Sequence, residues 1–108
     1  MEVKINGTTW NIKEVDTRSQ ELNINGNQCY GTCKYHTQEI CLDSSLKKSK
    51  KYQTLKHELA HAFISCHLLE QKKSYSEEEM CEYVALYADN IVEIASHYME
   101  VAHNGKTD

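Results

Sequence analysis

The chain has 108 residues, with 12 Lys and Arg against 16 Asp and Glu, so its formal charge is −4. That length accommodates one domain, and the acidic balance gives no general affinity for nucleic acid or for an anionic membrane. Apolar residues make up 40% of the chain, enough for a small core, but no run approaches the ~20 residues of a bilayer span. Met1–Ile5 lacks the apolar segment of an export signal, so the expected setting is cytoplasmic. The five cysteines (Cys29, Cys33, Cys41, Cys66 and Cys81) are odd in number and read as thiols of a reducing compartment.

Residues 1–45 read as short strands separated by turn residues. Val3–Ile5 leads into Asn6-Gly7, a strong hairpin signal. Thr9–Val15 follows with near period-two alternation through Trp10 and Ile12. Glu21–Ile24 meets a second turn signal at Asn25-Gly26, and two more short runs lie at Cys29–Tyr35 and Glu39–Asp43. Together they predict a small, mostly antiparallel sheet.

Residues 46–67 read as a first helix, with Ser44, Ser45 or Ser49 as its cap. Leu55, Leu59, Ala62 and Cys66 recur at spacings of four, three and four and make its core stripe. Residues 70–76 are a polar linker. Ser76 caps a second helix over 76–103, whose first turn holds Glu77, Glu78 and Glu79, where the helix dipole favours negative charge. Its expected core stripe is Met80, Val84, Tyr87, Ile91, Ile94, Ala95 and Tyr98. The fold class is therefore α+β, a single domain of a sheet followed by two packed helices.

His57-Glu58-Leu59-Ala60-His61 is an H-E-x-x-H sequence on the first helix. Residues four apart leave a helix ~40° apart, so both imidazoles share a face and can bind one Zn²⁺ at ~2.0–2.1 Å. Glu58 lies ~100° round from His57, beside such a metal, where it can take a proton from water. The core stripe lies on the other side of this helix. A catalytic zinc needs a third protein ligand. Glu77, Glu78, Glu79 and Glu82 are the nearest candidates, and Glu78 and Glu82 share a face. One of that pair would bind the metal, and the other would accept a hydrogen bond from a ligand histidine.

The segment Thr54–Phe63 resembles the active-site helix of small gluzincin metallopeptidases, above all compact bacterial and prophage proteins related to the ImmA/IrrE metallo-endopeptidases. In that family the third ligand is a Glu on the next helix, often followed four residues on by Asp or Asn. Glu78-Glu79-Met80-Cys81-Glu82-Tyr83-Val84-Ala85 is similar, which makes Glu78 the ligand and Glu82 its companion. A competing register makes Glu82 the ligand. Glu at the companion position departs from the family pattern. The resemblance also implies that the strand before the helix, Glu39–Asp43, offers its edge to an extended peptide. It covers roughly residues 29–100, while the first 28 residues match nothing in that pattern.

The resulting expectation is a zinc-dependent metallo-endopeptidase acting on a protein or peptide substrate, with Glu58 as general base and a mobile-element or stress regulator as the implied target. A small domain also leaves room for a regulatory protein partner that completes the cleft. The alternative is a zinc-binding but non-catalytic interaction module of a phage or mobile-element protein. A third reading is a metal-free interaction domain. Cys29, Cys33, His36 and Cys41 could nominally form another zinc site, but read as free thiols and a surface histidine. His67, Tyr75, His97 and His103 are candidate oxyanion stabilisers, with His97 several turns beyond Glu82. Lys47, Lys48, Lys50, Lys51 and Lys56 read as a solvated basic face, or else as a dock for an acidic partner.

Overall fold

Residues 1–66 and 74–102 are described by the computed structural model. Strand β1 (Glu2–Ile5) turns back into β2 (Thr8–Val15) through Asn6 and Gly7, whose φ angles are 48° and 81°. These left-handed angles make the tight hairpin the Asn-Gly pair predicts, with Ile5 facing Thr8. A 3-10 turn (Gln20–Leu22) then leads to a two-residue hairpin of β3 (Asn23–Ile24) and β4 (Asn27–Gln28). This hairpin stands apart from the main sheet. Strands β5 (Gly31–Lys34) and β6 (Glu39–Asp43) complete the sheet in the order β1-β2-β6-β5.

Strand β6 lies inside the sheet, parallel to β2 and antiparallel to β5. It therefore has no free edge, which corrects the expectation that Glu39–Asp43 would pair with a peptide. The edge beside the first helix is β5. Cys41 and Leu22 are fully buried on the side of the sheet away from the helices, beneath the 3-10 turn, where Thr32 Oγ1 donates to the Glu21 carbonyl at 2.8 Å.

Helices α1 (Lys48–Cys66) and α2 (Glu77–Ala102) cover the other face. Neither is long and apolar enough to cross a membrane. Ile5, Trp10, Ile12, Ile40 and Leu42 from the sheet meet Leu55, Leu59, Ala62 and Phe63 of α1. The start of α2 is a reciprocal cap. Glu79 N–H donates to Ser76 Oγ, and Ser76 N–H donates to Glu79 Oε1, each at 3.1 Å.

The buried face of α2 differs from the expected stripe. Met80 and Val84 are exposed, whereas Tyr83 and Met99 are buried beside Tyr87, Ala95 and Tyr98. Tyr83 can turn inward because its hydroxyl donates to the Ala60 carbonyl at 2.7 Å. Cys66, expected in the core stripe of α1, is only half-buried, and Cys81 is exposed.

One buried polar link joins all three layers. Lys51 Nζ on α1 contacts Glu14 Oε1 on β2 at 2.8 Å and donates to the Ser44 carbonyl at 3.3 Å. Tyr98 of α2 donates to the other Glu14 oxygen at 2.7 Å. Burial, followed by the hydrogen bond to Glu14, holds the Tyr98 phenol well above its ordinary pKa, so it remains a donor. Lys51→Ala should lower stability by about 2–4 kcal/mol, because Glu14 then loses its counter-charge. The urea midpoint should recover substantially in Lys51→Met/Glu14→Leu, which leaves no unpaired charge.

Candidate active site

The sheet-facing side of α1 carries three buried polar residues, Lys51, Thr54 and Glu58. Lys51 is held by Glu14. Thr54 packs against Gly31 of β5, where a Cβ added to the glycine would lie 2.7 Å from Thr54 Cγ2 and 3.2 Å from Glu58 Cγ. Glycine at position 31 thus lets the edge strand approach the helix closely. Glu58 itself is only 7% exposed and has no hydrogen-bond partner among the described residues.

His57 and His61 stand on the outer face of the same helix and are both exposed. Their rings meet edge to face, with centroids 4.9 Å apart and planes at 75°. This is the shared face that the i, i+4 spacing predicts. Partial desolvation against the helix, then the neighbouring His57, lowers the His61 pKa and favours the neutral imidazole. Burial pushes the Glu58 carboxyl above its usual range, with His57 pulling partly the other way.

A cleft of about 340 Å³ opens between α1 and the entry to β5. His57 and Glu58 form one wall with Lys50, Gln53 and Thr54, and Cys29, Tyr30 and Gly31 form the other. Glu58 therefore combines burial with access to a cavity. The sequence does not single out Tyr30 or Gln53 and marks Lys50 only as one of a basic run, because only folding brings the Cys29–Gly31 segment to the helix. Gly31 carried a faint signal, as an isolated glycine within a strand-like run marks close backbone approach.

Strand β5 also presents unused backbone groups here. Asp43 N–H donates to the Tyr30 carbonyl at 2.9 Å, and Thr32 and Lys34 follow in the same register against Cys41 and Glu39. In an antiparallel pair the intervening residues point their amides outward. Gly31 and Cys33 hence offer free N–H and C=O groups, with no partner among the described residues.

The carboxylates of α2 are placed differently. Glu78 and Glu82 are both exposed, and among the described residues no three His, Cys, Asp or Glu side chains converge on a metal position. Helix geometry accounts for this. The face of α2 that meets α1 carries Tyr83, from which Glu78 lies ~140° and Glu82 ~100° round the axis. Glu77 is also exposed, and Glu79 serves the cap. The histidine pair thus fits two positions of a zinc site, and the structure does not bring a third donor to it.

Among the oxyanion candidates, Tyr75 is half-buried and His97 is exposed, while His67 and His103 lie outside the described residues. Cys29 reaches the cleft, Cys33 and Cys41 are held in β5 and β6, and His36 is exposed. Burial, reinforced by the nearby Glu58, pushes the Cys33 thiol up to about 12, so it stays protonated.

Compared with protein-family models, curated proteins and solved structures, the chain matches none. Gly31→Ala should destabilise the fold by about 1–3 kcal/mol through crowding of Thr54 and Glu58. Adding Thr54→Ser removes the nearest methyl and should restore part of that loss, as read from denaturant midpoints.

Proposed function

We propose that this protein is a zinc-dependent endopeptidase whose work is done at the cleft between α1 and the β5 edge. The observation that supports this most strongly is Glu58, a residue only 7% exposed, without a hydrogen-bond partner among the described residues, whose side chain lines a cleft shared with His57, itself paired with His61. A carboxyl sheltered by the fold yet open to a cleft suits a group kept for proton transfer.

In this reading His57 and His61 would hold the metal. Glu78, with Glu82 as its alternative, is the proposed third protein donor, and either would have to lean across from the outer side of α2 to reach it. Bound zinc would supply Lewis-acid polarisation of the scissile carbonyl and a water acidic enough to lose a proton near neutral pH. Glu58 would take a proton from water in the cleft and hand it to the departing amine. The peptide is held as an added strand. Its main chain would meet the outward amides of Gly31 and Cys33, which fixes the scissile bond relative to α1 without demanding a particular sequence.

The test is metal content and cleavage measured on the same preparations, purified without a metal-binding tag. Wild type should carry one zinc per chain. His57→Ala and His61→Ala should lose it, and whichever of Glu78→Ala or Glu82→Ala weakens it identifies the third donor. Glu58→Gln should keep the zinc and cleave at least about 10²-fold more slowly. Zinc retention with no proteolysis by wild type would leave a binding module. No zinc uptake by the folded protein would remove the site altogether.

A further inference from the structure

The five lysines from 47 to 56 do not form one surface. Lys51 turns inward to Glu14. Lys56 lies over the Tyr52 ring, with its ammonium 4.2 Å from the centroid. Lys47 and Lys48 border a separate groove of about 570 Å³ beside Tyr52 and Met99. Lys50 alone enters the cleft of His57 and Glu58. Its ammonium sits 4.9 Å from the centroid of the Tyr30 ring and has no acidic partner among the described residues. The cleft wall therefore carries a cation that is positioned but not neutralised. Tyr30 is 58% exposed, so both groups are available to a bound chain.

We infer that Lys50, steadied by Tyr30, selects peptides with an acidic side chain about three residues from the scissile bond. This rests on the peptide-cleaving reading of the same cleft. The register follows from helix geometry. Lys50 and His57 are seven residues apart, which puts them on one face and ~10.5 Å apart along α1. An extended chain rises ~3.3 Å per residue, so that distance spans about three residues of a peptide running alongside α1. Apart from Glu58, no cleft-lining residue is acidic. A carboxylate three residues from His57 would gain an ion pair with Lys50, whereas a lysine there would meet a like charge.

The experiment separates binding from turnover. Fluorescein-labelled twelve-residue peptides of Val, Thr, Ser and Gly carry one Asp, Asn or Lys at each position in turn. Anisotropy measures their binding to zinc-loaded Glu58→Gln protein, alone and combined with Lys50→Ala or Lys50→Glu. Lys50 is exposed, so these changes should leave the fold intact, which circular dichroism checks. Asp at one register should bind two- to five-fold tighter than Asn, roughly the strength of a partly exposed ion pair. The gain should shrink as salt is raised, vanish in Lys50→Ala and pass to the Lys peptides in Lys50→Glu. Equal binding of Asp and Asn, a preference that survives Lys50→Ala, or no binding of any peptide would overturn the assignment. Cleavage by wild type reads the peptidase reading separately. Charge-dependent binding without cleavage keeps the role of Lys50 and removes the enzyme, and cleavage without charge preference does the reverse.

Discussion

The Lys51–Glu14–Tyr98 link fixes how α1 is rotated about its own axis. A lysine ammonium can be buried on a sheet only where a counter-charge waits, and Glu14 supplies it from β2 while Tyr98 occupies its second oxygen. With Lys51 pinned, everything along the helix follows at ~100° per residue. Glu58, seven residues on, must return to the sheet side, at the margin where β5 ends the sheet. His57 is then carried ~100° away toward solvent, and His61 with it. The same helix thus keeps an acid sheltered and two imidazoles accessible without any special backbone geometry.

The buried polar stripe treats its three members unequally. Lys51 is fully answered. Thr54 is accommodated by the missing side chain of Gly31. Glu58 has no protein partner among the described residues and opens on the cleft instead. Burial raises the proton affinity of Glu58, and partial desolvation lowers that of His61.

What could be read from the sequence was whatever is settled locally. Asn6-Gly7 makes its hairpin because two left-handed residues suffice, Ser76 and Glu79 cap each other within four residues, and the spacing of His57 and His61 alone gives them a common face. The strands were found, but not their neighbours. Whether Glu39–Asp43 is an edge depends on where β5 and β2 lie, and alternation says nothing about that. The phase of α2 was misjudged for a related reason. Met80 and Val84 are more apolar than Tyr83, yet a tyrosine whose hydroxyl reaches the Ala60 carbonyl satisfies its polar end and buries its ring.

That phase bears directly on the carboxylates. Glu78 and Glu82 share a face of α2 that is exposed and free of packing. But α1, which carries the histidines, is itself part of what that stripe packs against, since Tyr83 touches Ala60 one residue before His61. A side chain turned away from the core of α2 is for that reason turned away from α1. Freedom from packing is therefore not the quality that brings a third donor to a metal shared between two helices. The residue must sit on the flank of the contact, close enough to lean across it. The cleft on the β5 side meets the matching requirement for a substrate, with Gly31, Tyr30 and Lys50 brought beside His57 by one close approach of strand to helix.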